Sequence, residues 1–450
     1  MRRRVPRSGI LALGLVVCLA PLAPAQAPSK PRTVLILPFA GAELTRDEQW
    51  IGAGVAESLT LALVQAPGLV QIDAGRLKHL PQPEAWDDQA ALQATRALRA
   101  DVGLYGTVKR AGTELVILPR YVELKGDRAE RVTLDAQPVA EGALLDRFRD
   151  LAHAYVRSLK VPVSETELSR VRKWASPTTS LRAWEAYVRG RLAVIRGGQE
   201  ANEAAVDALS KSIEVDPQFV AAQYALGLVH QALGNRWKAA AQFRASTQLD
   251  PMYPEPYKSL GDLFVTAPRR LFDQAVEAYG NAIALRPFYA DAWVGLGDAK
   301  AAKGDADGAV GAYQKALGFN PINAKVHVSL GKLYYTEKNL YYESVNAYKR
   351  AIELDPGLVE ARMGLAEVYE DKGLYQEAIA EYRTVVDADA KHTGALYNLA
   401  LVYEKVDARE SIVLWERYIE VASRLPSEKD WVDVAKLHLR KLRSRIEKDN

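Results

Sequence analysis

The run Trp293-Val294-Gly295-Leu296-Gly297 decides the fold, because its aromatic residue, leucine and small residue return along the chain. Prolines keep the same rhythm, since spacings of 34, 36, 34 and 35 residues separate five prolines that follow helix-like segments. A repeat of this length indicates an array of similar units rather than one compact core. The related runs are Tyr257…Leu260-Gly261, His327…Leu330-Gly331, Leu365-Ala366 and Leu399-Ala400, and the prolines are Pro217, Pro251, Pro287, Pro321 and Pro356.

Each unit is predicted to contain two antiparallel helices in close contact, because small residues recur at one site in each helix. A large residue, here called the filler, follows the second small site four positions later and so shares its helix face. The filler is expected to plug the groove between its own unit and the next, so that units bury apolar surface by stacking. The first small sites are Gly190, Gly227, Gly261, Gly297, Gly331, Ala366 and Ala400; the second are Ala205, Ala239, Ala275, Ala309, Ser344, Ala378 and Ser411; the fillers are Leu209, Phe243, Tyr279, Tyr313, Tyr348, Tyr382 and Trp415.

Proline and glycine mark the predicted helix ends. The prolines end second helices, because proline cannot donate to the helical hydrogen bonds and disfavours helix before it. Gly234, Gly304 and Gly373 stand where first helices stop, as C-cap glycines do. Three turns between paired helices are one to three residues longer than the others, and they lie near residues 196–199, 268–270 and 339–342.

These features resemble the tetratricopeptide family, whose repeat is a helix–turn–helix of this length. The resemblance implies an all-α solenoid over residues 181–426, with about seven helical hairpins in a right-handed superhelix. A capping helix is expected over residues 427–450. The alternative is an ordinary helical bundle that lacks a true repeat, but several kinds of site recur here in register.

Residues 1–27 are predicted to be a secretory signal peptide. A basic start with four arginines precedes an apolar run over residues 10–20, and Ala25 and Ala27 supply small residues for cleavage. The apolar run ends at Pro21 and is too short to span a bilayer comfortably. We expect a periplasmic or secreted protein without a transmembrane segment after cleavage; the alternative is an uncleaved anchor.

Signal removal would change the charge of the chain. The full sequence has 59 basic and 56 acidic residues, and the first 27 residues hold four arginines and no acid, so the net charge falls from +3 to −1. No general attraction to nucleic acid follows from this balance. Cys18, the one cysteine of the sequence, lies in the removed segment, which excludes disulfides and cysteine chemistry in the mature chain.

Residues 28–160 alternate between strand and helix patterns. Short runs rich in branched residues predict strands, and apolar spacing predicts helices, so that a small α/β or α+β domain with helices over a mixed sheet is expected. Residues 161–180 read as a linker with a short helix between two breaks. The predicted strands are 33–39, 68–73, 102–109, 113–124 and 131–136, and the predicted helices are 47–66, 89–99 and 139–159.

This order resembles the TolB-like amino-terminal domain, which is often found just before tetratricopeptide units. The resemblance covers residues 33–215. Other members often place this domain after a DNA-binding or cyclase domain, but a signal peptide stands in that place here, so those activities are not expected. Exported members are generally envelope or assembly proteins, and the resemblance therefore implies an envelope role. The matching phrases are residues 34–39, 54–59, 100–108 and 186–191.

No cluster of residues predicts an enzyme. Gly52-Ala53-Gly54 lacks the third glycine of a dinucleotide loop, and a close-packed helix start explains it. The histidines lack metal-ligand spacing, and His230 replaces an aromatic packing residue. No nucleophile elbow is present. We therefore predict no catalysis, no cofactor and no metal; an undetected hydrolase is the alternative.

The concave surface lined by first helices is the predicted binding site. Its early units are aromatic and apolar, and its sixth unit is acidic. The lysine–asparagine clamp that some relatives use for a terminal carboxylate is absent, so an extended segment with an apolar part and a basic part fits better. The predicted partner-binding residues are Tyr187, Arg191, Tyr224, Leu228, Lys258, Asp262, Asp298, Lys332, Tyr335, Glu367 and Asn398.

The sequence therefore predicts a non-enzymatic scaffold of the bacterial cell envelope that binds other proteins. The alternative is an envelope sensor or carrier that binds a small ligand or glycan in the amino-terminal domain. The basic helix at the carboxyl end has two interpretations. It is a cap whose cations lie near its own negative dipole end, or a patch for nucleic acid or acidic lipid.

Overall fold

The structure is a computed structural model that describes residues 31–449, apart from residues 42, 43, 73, 82 and 84. A sheet with helices comes first, and a long array of helix pairs follows it. The predicted signal segment, including Ala25 and Ala27, lies outside the described residues. Among the residues described, no helix combines the length and the apolar character that crossing a membrane requires.

The first part of the chain is built on one mixed sheet. β1 pairs in parallel with β2 on one side and β3 on the other, and β3, β4 and β5 continue as antiparallel neighbours, with β6 also paired to β4. This arrangement matches the predicted small sheet domain. The strands are β1 (Arg32–Ile36), β2 (Leu69–Gln71), β3 (Val102–Ala111), β4 (Glu114–Lys125), β5 (Arg128–Thr133) and β6 (Pro138–Ala140).

Helices cover both faces of this sheet. Successive side chains of the central strand β1 point to opposite faces, so they pack against different helices. Val34 and Ile36 lie in one apolar cluster with α1 and α3, whereas Leu35 and Leu37 lie in another with α2. Burial on both faces explains the continuous apolar run in β1. The helices of this part are α1 (Trp50–Leu63), α2 (Asp88–Ala97), α3 (Leu144–Ser158) and α4 (Glu165–Ala175).

One predicted element is wrong in its first residues. The apolar spacing predicts a helix over residues 139–159, but residues 138–140 form β6 and α3 begins at Leu144. Val139 lies opposite Leu115 in the antiparallel ladder and is buried there. The local pattern could not show this, because the partner strand lies more than twenty residues earlier.

α4 joins the two parts of the chain into one core. The segment 161–180, predicted as a linker, does contain a short helix, but its apolar face is buried in the same cluster as α1 and α3. The hydroxyl of Ser58 donates to the carbonyl of Ala175 at 2.6 Å. Trp174 stacks on Tyr253, with ring centroids 4.3 Å apart. The apolar core therefore continues from the sheet into the first helix pairs without a break.

The rest of the described chain forms consecutive antiparallel helix pairs followed by one more helix. The pairs are α5 (Leu181–Arg196) with α6 (Gln199–Val215), α7 (Val220–Ala232) with α8 (Arg236–Leu249), α9 (Pro254–Val265) with α10 (Phe272–Leu285), α11 (Ala290–Ala302) with α12 (Ala306–Phe319), α13 (Ala324–Thr336) with α14 (Tyr341–Leu354), α15 (Val359–Asp371) with α16 (Tyr375–Ala388), and α17 (Thr393–Val406) with α18 (Ala408–Ala422); α19 (Lys429–Asp449) follows.

The turns within pairs use left-handed backbone, which favours glycine. Gly304 has φ of 83° after α11. In two of the longer turns the left-handed residues are Arg270 and Asn339, with φ of 51° and 53°. The extra residues thus change which residue takes the left-handed position, and the paired helices stay together.

The fillers occupy the space that the small residues leave. A Cβ atom built on Gly297 would lie 2.5 Å from Cε1 of Tyr313, far inside van der Waals contact. The same ring type also reaches the following pair, because a Cβ on Gly364 would lie 2.5 Å from Cζ of Tyr348. Tyr279 and Tyr348 are therefore each wedged between their own first helix and the next one, as the repeat predicts.

This packing predicts opposite effects for two glycines of the same helix pair. Gly297→Ala should lower the free energy of unfolding by about 1–3 kcal/mol, because the Tyr313 ring must move. Gly311→Ala should raise it by about 0.5–1 kcal/mol, because Gly311 lies inside α12 with no atom near its Cβ direction. Chemical unfolding followed by circular dichroism measures both. Equal effects of the two substitutions would contradict the wedge.

Candidate functional site

The first helix of each pair presents a row of side chains beside its small site. The row takes residues that lie two or three positions before that site, or one or four positions after it; these share a face, because residues three or four apart on a helix are neighbours. All of the residues in this row, from the second pair onward, are half-buried or exposed. We call this row the first-helix face, and it consists of Tyr224, Leu228, Lys258, Asp262, Asp298, Lys332, Tyr335, Glu367, Glu370, Tyr397 and Asn398.

Two predicted partner-binding residues of the first pair contact the sheet domain instead. Tyr187 is only 2% exposed, so the expectation that it lies on an open surface is wrong. Its hydroxyl donates to Oε1 of Glu57 at 2.7 Å, and Nε of Arg191 donates to the same oxygen at 2.9 Å. Because α1 covers this pair, the first-helix face starts at the second pair.

The filler tyrosines connect the core to the first-helix face. The hydroxyl of Tyr279 donates to Oδ1 of Asp262 at 2.8 Å, while Nζ of Lys258 lies 2.7 Å from the other carboxylate oxygen. In the next pair, the hydroxyl of Tyr313 donates to Oδ1 of Asp298 at 2.6 Å. One tyrosine thus fills the helix contact with its ring and fixes an acidic side chain with its hydroxyl.

A similar group forms further along the face. The hydroxyl of Tyr382 donates to Oε2 of Glu370 at 3.3 Å, and the amide of Asn398 donates to the Tyr382 hydroxyl at 3.3 Å. Tyr335, which precedes this group, donates its hydroxyl to Asp371. Carboxylates of successive pairs are therefore held in fixed positions along one face.

These carboxylates are poorly solvated. The Asp298 side chain opens to solvent, but surrounding protein atoms desolvate its carboxyl and raise its pKa above the usual value. Desolvation likewise raises the pKa of Glu367, although the nearby Lys332 opposes this. For Glu370, desolvation and the charges of Asp371 and Glu367 outweigh the hydrogen bond from Tyr382, so its pKa is also raised. A bound cation would relieve this unfavourable charge.

The beginning of the face is apolar and aromatic. The Tyr224 ring lies 5.6 Å from Phe243 and 5.4 Å from Tyr253, and its hydroxyl is 3.1 Å from Oγ of Ser259. Leu228 packs on the same cluster and stays partly open. The face therefore changes from apolar in the second pair to acidic in the sixth.

Sequence reasoning missed the contribution of the fillers and of Glu57. The signal for the fillers was present, because a filler tyrosine occurs in the same pairs that carry an acid directly after the small site, as in Asp262 and Asp298. For Glu57 the chain offers no local signal, since it contacts Tyr187 across 130 positions of the sequence.

Two open clefts lie away from the first-helix face. One, of about 760 Å³, lies between α6 and the end of α7 beside His230. The other, of about 520 Å³, lies between α3 and α4 and is lined by Arg149, His153, Arg157 and Arg172 among others. In the part of the chain that the structure describes, no three His, Cys, Asp or Glu side chains are grouped to hold a metal ion.

A comparison with known protein families identifies the repeat. A family model for the tetratricopeptide repeat matches residues 269–325 and 328–393. The chain contains tetratricopeptide repeats. Tetratricopeptide-repeat proteins are generally protein-interaction scaffolds.

Several solved structures are similar to parts of the chain. MamA is 24% identical with a TM-score of 0.34, and the match covers 37% of this chain and 95% of that one. YrrB, described as a TPR protein with an unusual peptide-binding site, is 22% identical with a TM-score of 0.37 over 45% of this chain and 100% of that one. PilW, a type IV pilus biogenesis factor, is 17% identical with a TM-score of 0.41 over 46% and 94%.

A curated relative is the Protein O-mannosyl-transferase TMTC1 of Mus musculus. It is 26% identical over 164 residues, which is 35% of this chain. The match spans 17% of the length of that protein. The transferase is thus similar to this chain over a limited segment only.

Because desolvation raises the pKa of Glu367 and of Glu370, removing their charges should stabilise the fold, and the size of this gain should depend on pH. The double variant Glu367→Gln and Glu370→Gln should be more stable than the natural chain at neutral pH. In the folded state the ionised carboxyls lack full solvation, and this cost is present above their raised pKa. The difference should disappear as the pH falls below the unfolded-state pKa, where both states are protonated.

Thermal unfolding midpoints, measured from neutral pH downward, test this. Glu277→Gln, in the middle of α10, is the matched control and should change little at any pH, because Glu277 is exposed and lies beyond the first turn of its helix. A double variant that is less stable at neutral pH than the natural chain would contradict the proposed desolvation.

Proposed function

We propose that the first-helix face binds an extended segment of a partner protein that has an apolar part and a basic part. The apolar part would contact Tyr224 and Leu228, and the basic part would contact Glu367 and Glu370. The observation that carries this proposal is the row of desolvated carboxylates beside an aromatic start. Cationic side chains of a partner would compensate these charges without moving the tyrosines that hold them.

The change from apolar to acidic residues along the first-helix face also fits an extended ligand. The apolar and acidic ends lie in different helix pairs, so a single small molecule would not contact both. An extended peptide spans about 3.3 Å per residue, and a segment of moderate length reaches across several pairs. Main-chain and side-chain contacts spread over successive units are the usual use of a repeat surface.

We also propose the domain organisation of the chain and its place in the cell. All seven helix pairs would be tetratricopeptide units in a right-handed superhelix whose concave side is the first-helix face. Residues 28–160 would be a TolB-like domain, and the chain would act as a non-enzymatic scaffold in the bacterial cell envelope. The recurrence of small site and filler through every pair supports the first point, and the basic and apolar pattern of residues 1–27 supports export.

Binding of designed peptides tests the groove. We expect a fluorescent peptide with a leucine-rich half and a lysine-rich half to bind, as measured by anisotropy. The double variant Glu367→Gln and Glu370→Gln should weaken binding by about tenfold, or ~1.4 kcal/mol. Added salt should weaken it further, because the contacts are charged and partly exposed. Acidification through the raised pKa of both carboxyls should have the same effect.

The controls separate charge from composition. Glu377→Gln should leave the affinity unchanged, and a peptide with glutamates in place of the lysines should not bind. Replacing the leucines by serines should weaken binding to the natural chain and to the double variant alike. Equal affinity for the lysine and glutamate peptides would overturn the proposal.

Export has its own expected result. Protein isolated from the envelope fraction should begin at Pro28, as shown by amino-terminal sequencing, because cleavage is expected after Ala27. Full-length protein confined to the cytosolic fraction would refute the envelope role while leaving the peptide-binding proposal intact.

A further inference from the structure

α19 packs on the last helix pair through only one of its faces. Val432, Ala435 and Leu442 are buried there, with exposures of 5% or less. His438 strengthens this contact, since its Nδ1 lies 2.8 Å from Oε1 of Glu404 and its ring stacks on Trp415 at 5.2 Å. The orientation of the helix against α18 is therefore fixed.

A second stripe runs along the opposite side of α19. Asp430, Val434, Leu437, Lys441 and Ser444 follow each other at intervals of 4, 3, 4 and 3 residues. Alternating steps of four and three residues form the contact line of a two-helix coiled coil. Val434 is 37% exposed and Leu437 is 43% exposed, so this apolar pair has no cover within the described residues.

The charges on the stripe make it complementary to itself. Asp430 lies four residues before Val434, and Lys441 lies four residues after Leu437, so the two charges flank the apolar pair symmetrically. Two copies of the helix that run antiparallel therefore place Asp430 opposite Lys441, and Val434 opposite Leu437, twice. A parallel arrangement would place like charges together, which is unfavourable.

Both charged residues are free for such a contact. In the described part of the chain, the side chains of Asp430 and Lys441 have no hydrogen bond or ion pair, although other α19 side chains do, such as Arg443 with Glu416 at 2.6 Å. Among the described residues, no further helix follows α19 to cover its outer side. A second copy of α19 would supply that cover, since stacked units bury apolar surface only against a neighbour.

We propose that two copies of this chain associate through antiparallel pairing of their α19 helices along this stripe. The interface is isologous, as in most two-fold dimers. It is also small, so the dimer is weak and dissociates on dilution. The proposal is independent of the peptide groove, because no residue of the stripe belongs to the first-helix face.

Charge exchange tests the pairing. Sedimentation of the natural chain over a concentration series should show a monomer–dimer equilibrium. Asp430→Lys alone, or Lys441→Asp alone, should raise the dimer dissociation constant by about tenfold or more, because symmetry places two like-charge contacts in each dimer. The chain carrying both Asp430→Lys and Lys441→Asp should recover the natural dissociation constant.

Two controls guard against trivial explanations. Lys315→Asp, on the exposed side of α12, makes the same charge change away from the stripe and should leave the equilibrium unchanged. Circular dichroism should show the same helix content in every variant, which excludes unfolding of α19 as the cause. Val434→Glu with Leu437→Glu should abolish the dimer.

Several results would overturn the proposal. A natural chain that stays monomeric at every concentration would do so. So would failure of the exchanged double variant to recover association. Association that appears only after addition of anionic vesicles or duplex DNA would show that α19 is a lipid or nucleic-acid patch instead.

Discussion

The whole array depends on a close approach between paired helices that is possible only where the side chain is absent or as small as that of alanine. The ring of Tyr313 lies where a Cβ on Gly297 would be, and comparable rings occupy the same space in the neighbouring pairs. Because the rings of Tyr279 and Tyr348 also touch the following pair, the contact that holds each of their units together is the one that joins it to its neighbour. Local pairing and long-range stacking are thus one interaction.

The same rings determine the chemistry of the exposed face. Tyr279 and Tyr313 bury their rings and still donate hydroxyl hydrogen bonds to Asp262 and Asp298. A phenylalanine filler, as at position 243, keeps the packing and cannot fix a carboxylate. The choice between the two aromatic residues therefore changes the polarity of the face without changing the fold. The apolar second pair carries a phenylalanine filler, and the third, fourth and sixth pairs, which carry acids on the face, carry tyrosine fillers.

The sequence predicted the features that depend on short spacing and missed those that depend on distant contacts. Small sites, fillers and turn glycines repeat within about 34 residues, so the helix pairs could be found from periodicity alone. Tyr187 occupies the same place in its helix as Tyr224, and only the α1 side chain Glu57 makes it a buried contact. Val139 belongs to a strand because β4 lies beside it. In each case the deciding partner lies outside the window that a local pattern covers.

The shared core around Trp174 has a consequence for the order in which the chain acquires its structure. Its stacking partner Tyr253 follows 79 residues later, since 253 − 174 = 79. Synthesis at about 5–20 residues per second delays that partner by roughly 4–16 s. During this interval the Trp174 ring lacks its stacking partner, while the rest of the apolar side of α4 can already pack on α1 and α3, which precede it. The junction between the sheet and the helix pairs is therefore completed only after the chain beyond the second helix pair has been synthesised.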